Sequence, residues 1–94
     1  RYDDVNSPVY ITGKVYTLNN DMYIRKTPNG EHKNLNEITA NAKSNSYADD
    51  NGYAVLKAGT RVTCLDTTST GTAIWLLIPS GWICGQSRDK IYVR

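Results

Sequence analysis

The side chains in this sequence that can do chemistry are few, and none are grouped for catalysis. His32 is the only histidine, and its polar surroundings read as those of a solvated imidazole. Cys64 and Cys84 have no local Cys/His or Ser/His/Asp signature around them. Two cysteines and one loop histidine fall short of the four ligands a structural zinc site takes. Both thiols read as small apolar side chains, since spacing alone cannot supply the geometry of a bridge. Carboxylates pair only as sequence neighbours, Asp3-Asp4 and Asp49-Asp50, which do not face one another across a substrate. Asp49-Asp50-Asn51-Gly52 is a turn. As a calcium loop, its 1, 3, 5 spacing ahead of the glycine would put Tyr47 at the first ligand position. No Gly-rich phosphate loop is present. These residues predict a chain that binds and does not catalyse, with no metal and no cofactor.

The residue type in excess is tyrosine. The chain carries seven Tyr, two Trp and no Phe, rings with apolar bodies and polar tips that suit a partly wet interface. Tyr10 and Tyr16 share one strand parity. Tyr23 stands opposite Met22 and Ile24, with Arg25 beside it. Tyr47 and Tyr53 flank the end of a long polar stretch, and Trp75 opens a strand next to a loop. One reading is a shallow tyrosine-lined groove that takes short or glycine-rich peptide segments, or sugars. Flat rings would stack on the ligand while hydroxyls and Arg25 supply hydrogen bonds. The other is that such rings cover the core with the hydroxyl in water. Arg25 is likewise either a loop anchor or a ligand contact. Trp82, after Gly81, is expected to plug the core.

The elements that must hold these residues are short strands. Residues 9–18 alternate and are rich in Val, Ile, Tyr and Thr, with Gly13 as a bulge or bend. Met22 to Arg25 is a short strand, closed by the turn Thr27-Pro28-Asn29-Gly30. Residues 31–51 are mostly polar, and Leu35 and Ile38 are placed to anchor one helical turn. The rest of that stretch reads as a long loop, of a length that is uncommon without function. Strands follow at residues 53–56 and 61–67, with Val62 and Cys64 inward, then a loop at 68–72. Residues 73–78 and 82–84 form a hairpin across Pro79-Ser80-Gly81. A loop at 85–89 leads to a last strand at 90–93. Six or seven short strands with almost no helix predict an all-β, small, partly open barrel.

Composition sets the bounds. Ninety-four residues make one domain, with residues 1–8 reading as a linker remnant and 9–94 as the folded unit. Eleven basic and nine acidic residues, interspersed and summing to +2, make a poor phosphate-tracking surface, so nucleic acid is not an expected partner. No apolar run is long enough to span a membrane. The only methionine is Met22, so a chain that starts at Arg1 reads as a piece of a longer protein.

A set of motifs in fixed order then resembles the bacterial SH3 (SH3b) domain. It runs Met22-Tyr23-Ile24-Arg25, Val55-Leu56-Lys57-Ala58-Gly59-Thr60-Arg61-Val62, a loop and Trp75, Gly81-Trp82-Ile83, and Ile91-Tyr92-Val93. The resemblance covers about residues 13–93. The chain departs from the family at Tyr23, where Asn is usual, in the turn at residues 26–30, and in the length of the 31–51 stretch. The variant is most similar to modules of clostridial-type autolysins and phage endolysins. The resemblance implies an SH3-like barrel that targets a linked amidase, muramidase or peptidase to Gram-positive peptidoglycan. It places the chain at the cell wall, whether encoded by the bacterium or by a phage. The alternative is an SH3-like interaction module that binds an extended or proline-rich peptide.

Overall fold

Alternating apolar residues put one side chain of each pair inward, and the strands assemble around that division. The computed structural model describes residues 10–88 and 90–94, so the linker expected at 1–8 and the strand start at Val9 lie outside the described residues. The strands are β1 (Val15–Thr17), β2 (Met22–Tyr23), β3 (Ser46–Ala48), β4 (Ala54–Leu56), β5 (Arg61–Thr63), β6 (Asp66–Thr70), β7 (Ala73–Ile78), β8 (Gly81–Ser87) and β9 (Lys90–Ile91). A 3-10 turn, Leu35–Glu37, and a short helix α1, Ala40–Ser44, lie between β2 and β3. The chain is thus mostly β, as expected. Its strands form three small antiparallel sheets in the orders β1-β5, β2-β4-β3 and β6-β7-β8-β9, and among the described residues no barrel closes. Single bridges, Leu18 to Val93 and Arg25 to Trp82, join sheet to sheet.

The core lies between the sheets. Leu18, Ile24, Leu56, Leu76, Ile83, Val93 and Cys64 are its most buried members. Parity explains most of them: Val62 and Cys64 point inward while Arg61 is exposed, and Met22 and Ile24 point inward while Tyr23 is exposed. Both cysteines are free, and burial raises the pKa of both thiols.

The hairpin at Pro79-Ser80-Gly81 forms in the expected register, Ile78 opposite Gly81 and Trp75 opposite Cys84. A bulge between Ile74 and Trp75 then shifts the pairing, so Ile74 meets Gln86. Gly81 matters to the site. Its φ is +143°, and a Cβ there would lie 2.8 Å from the Arg25 carbonyl oxygen. Only glycine lets the Arg25 backbone come close enough to exchange both hydrogen bonds with Trp82, at 2.8 and 2.9 Å.

Several expectations need correction. Residues 31–51 are not a structureless loop. Leu35 and Ile38 anchor a helical turn as foreseen, with Ile38 buried and Leu35 packed on the core. α1 and β3 then follow within the same stretch. Polar residues cap the 3-10 turn and α1. Glu37 and Asn34 form a capping box, Thr39 Oγ1 accepts from the Ala42 amide, and Thr39 also bonds the buried Ser80 hydroxyl. Residues 68–72 are not a loop either: β6 runs to Thr70 and turns through Gly71-Thr72 into β7. β8 continues to Ser87 where a loop from Gly85 was expected, and turns at Arg88, whose φ is 55°. The first expected strand shrinks to Val15–Thr17, with a turn at Gly13 (φ 92°), and the second ends at Tyr23. Trp82 was expected in the core and is half-buried, while Trp75 is 6% exposed. Trp75 shares its strand face with Cys84, under the chain that carries Arg25.

Candidate binding site

The site grows from the middle sheet. β4 is its central strand, and Tyr23 on β2 and Tyr47 on β3 both stand opposite Val55. Directly paired residues share a face, so the order across that face is tyrosine, valine, tyrosine. Val55 points away from the core yet is only 6% exposed, because a ring flanks it on each side. The hydroxyls cross over to the opposite strand. Tyr23 donates to Asp49 Oδ2 at 2.8 Å, and Tyr47 donates to Asp21 Oδ2 at 2.9 Å. The remaining carboxylate oxygens accept backbone amides: Asp49 Oδ1 takes Asn51 and Tyr53, and Asp21 Oδ1 takes Ala58.

These bonds shift titration in the direction expected of donors on a carboxylate. Asp21 is held below the usual carboxylate range, first by the Ala58 amide and then by the Tyr47 hydroxyl. For Asp49, desolvation pulls upward, and the bonds from Tyr23, Tyr53 and Asn51, with His32 nearby, outweigh it and lower the value. Tyr23 and Tyr47 are raised, each chiefly because its proton is held by an aspartate.

The Thr27–Gly30 turn brings the next residues round. Lys26 N donates to Glu31 O, Gly30 N to Thr27 O and Lys33 N to Ile24 O, with Asn29 at φ 57°. This register bridges Arg25 to His32, and Asn34 bridges to Tyr53. His32 is thereby inserted between two rings. It stacks on Tyr53 at 4.6 Å and 12°, and meets Tyr23 edge-on at 4.6 Å and 74°. Arg25 Nη1 donates to the Gly30 carbonyl at 2.8 Å, and its guanidinium lies 5.9 Å from the centre of the Trp75 ring. The Trp75 indole N–H donates to Thr70 Oγ1 at 2.9 Å.

Beside this framework is a groove of about 310 Å³, with Tyr23, Trp75 and Tyr92 as its aromatic members and Arg25, Asp21 and Asn29 as its polar ones. Met22 of β2 and Cys84 and Ser87 of β8 complete it. Across the Tyr23 ring lies a more polar hollow holding His32, Tyr53, Lys26, Glu31 and Asn34. A third hollow, of about 260 Å³, sits elsewhere, between α1 and β5. Its floor is aliphatic and its lining holds no aromatic ring, so the groove beside Tyr23 has the better chemistry for a flat or extended ligand.

Of the residues singled out from sequence, Tyr23, Arg25 and Trp75 meet at the groove. Tyr53 joins them through His32, and Tyr47 stands across Val55. Tyr10 and Tyr16 form a separate pair, with ring centres 5.2 Å apart and edge-on. The Tyr10 hydroxyl lies 2.9 and 2.7 Å from the carbonyl oxygens of Gly85 and Val93, and the Tyr16 hydroxyl accepts from the Ile11 amide. Burial is the first cause of a strongly raised Tyr10 pKa, with Cys84 next. Sequence reading missed His32 and Tyr92. The signal for His32 was present: the Thr27–Gly30 turn closes a hairpin, and pairing back from it sets His32 against Arg25. In comparisons with protein families, with curated proteins and with solved structures, nothing matches this chain.

Proposed function

We propose that this chain is a non-catalytic binding module of SH3b-like architecture that holds a linked peptidoglycan hydrolase on the Gram-positive cell wall. Its ligand is then a wall peptide or adjoining glycan, and it works outside the cytoplasm. The observation that carries this reading is the groove in which Tyr23, Trp75, Tyr92 and Arg25 converge. Aromatic walls stack on peptide planes or sugar faces, and a few fixed polar groups set orientation. The walls are also preorganised, which lowers the cost of ordering them on binding. Tyr23 is tied to Asp49 and abuts His32, while the backbone and side chain of Arg25 are both hydrogen-bonded. The resemblance in motif order supplies the wall as the surface on which such a groove would act.

Cosedimentation with purified Gram-positive peptidoglycan tests the proposal. The chain should pellet with the wall, and Tyr23→Ala should weaken that binding by about tenfold, the scale of losing one good ring contact. A wild-type chain that stays in the supernatant, or a Tyr23→Ala chain that pellets equally well, would remove this reading.

A further inference from the structure

The groove contains a cation that makes no ion pair among the described residues. It is Arg25, and among the described residues its one side-chain hydrogen bond goes to the Gly30 carbonyl. A guanidinium carries five N–H donors, so most of them remain for a ligand. Lys26, next in sequence, is different: its ammonium lies 3.7 Å from Glu31 and 3.8 Å from Glu37. Arg25 is also held in place. Its main chain is bonded on both sides to Trp82, and its guanidinium is set by Gly30 and the Trp75 ring. A half-buried, immobilised fork of donors is the arrangement that takes a planar carboxylate through two parallel bonds.

We propose that Arg25 binds the terminal carboxylate of a short peptide whose last residues are small and apolar. This rests on the groove being the binding face. Charge selects the anion. Among the described residues Arg25 is the one cation lining the groove, and Asp21 lines it as well. A single positive charge beside a carboxylate suits a monoanion and disfavours a dianionic phosphate. Size selects the rest: about 310 Å³ is at the small end for ligand pockets, roughly 300–1,000 Å³. The Tyr23, Trp75 and Tyr92 rings would lie along small apolar side chains.

The test titrates the ¹⁵N-labelled chain with N-acetyl-Ala-Ala-Ala as the free acid, with the same peptide as its C-terminal amide, and with N-acetyl-Ala-Glu-Ala amide. The Trp75 indole signal and the Arg25 side-chain signal are followed. The free acid should move both signals and bind at least tenfold tighter than either amide. Arg25→Lys, which keeps the charge and loses the fork, should bring the acid down to the level of the amide. Acetate should compete with the acid better than inorganic phosphate does. Equal affinity for acid and amide overturns the proposal on the wild-type chain, whatever becomes of the variant. Tight binding of the Glu peptide, or stronger competition by phosphate, overturns it in favour of another anion. If neither alanine peptide binds while the chain still pellets with peptidoglycan, this inference fails and the wall-binding reading stands. If the chain does not pellet either, both fail.

Discussion

Two groups of tyrosines in this chain are alike in sequence and opposite in use. Tyr10 and Tyr16 pack edge-on, and the Tyr10 hydroxyl reaches backbone carbonyls of Gly85 and Val93, far along the chain. Tyr23 and Tyr53 clasp His32, and the Tyr23 hydroxyl reaches the Asp49 side chain. In the first group each hydroxyl is tied to main chain, Tyr10 to the Gly85 and Val93 carbonyls and Tyr16 to the Ile11 amide, and the rings pack against the core. In the second, the Tyr23 hydroxyl is tied to a surface side chain and its ring is left standing at a groove. The partner of the hydroxyl therefore separates a tyrosine that holds the domain together from one that is free to meet a ligand.

The sharpest way to break this comparison is to remove one ring from each group. Tyr10→Ala should cost about 3 kcal/mol, the low end for deleting a core aromatic. That corresponds to a fall of roughly 15 °C in Tm for a domain of this size, read by thermal unfolding followed by circular dichroism. Wall binding by the chain that remains folded should be unchanged. Tyr23→Ala should behave the other way, moving Tm by less than about 5 °C while binding to peptidoglycan falls about tenfold. If Tyr10→Ala unfolds nothing, or Tyr23→Ala melts the domain, the hydroxyl's partner is a poor guide to role.

The strands were legible where burial was one-sided. The alternations at Met22–Tyr23 and Arg61–Thr63, and the apolar run at Ala73–Ile78, could be read because each puts an aliphatic face on the core. The outward placement of the Tyr23 ring was legible for the same reason, since strand parity sets it opposite Met22 and Ile24. What stayed hidden is built from polar groups. α1 depends on Thr39 capping Ala42 and bonding Ser80, and β6 is largely threonine and serine. Their stability comes from partners distant in sequence, such as Ser80 for Thr39, which no local period announces. His32 was masked by its neighbours, although the local turn carried the signal. Its polar neighbours, Glu31 and Lys33, point to a solvated loop, whereas the backbone pairing of residues 25 and 32 carries its ring between Tyr23 and Tyr53.

The pairs Tyr23–Asp49 and Tyr47–Asp21 add an acid limb that the Tyr10–Tyr16 pair lacks, while Tyr10, whose pKa burial raises, shares in the alkaline one. Asp21 and Asp49 have folded-state pKa values below the usual carboxylate range. Their contribution to stability is complete above the unfolded value, near 4, and is lost as pH falls through the lowered folded values. Tyr23 and Tyr47 are raised. Their contribution is complete below the unfolded value, near 10, and is lost as pH rises through the raised folded values. Urea midpoints should therefore drop at both ends of the pH range. Asp49→Asn should flatten part of the acid limb, and Tyr23→Phe should flatten part of the alkaline one. An acid limb of the same steepness in Asp21→Asn and Asp49→Asn chains would show that these pairs are not what acid breaks.

The smallest expected effect is the most discriminating, because it falls on the ring that faces the second group across Val55. Tyr47→Phe removes one hydroxyl and leaves the ring beside Val55. Asp21 keeps the Ala58 amide on its other oxygen, so the turn it holds should survive and Tm should move by less than about 3 °C. The Asp21 carboxylate, followed by its ¹³C signal, should titrate closer to the ordinary value once a donor is gone. Peptidoglycan binding should not change, because Tyr47 is not among the residues lining the groove. If Tyr47→Phe weakens wall binding as much as Tyr23→Ala does, the ligand crosses Val55 and lies over the whole tyrosine–valine–tyrosine face. The binding surface would then be that sheet, and the groove beside Tyr23 would be only its edge.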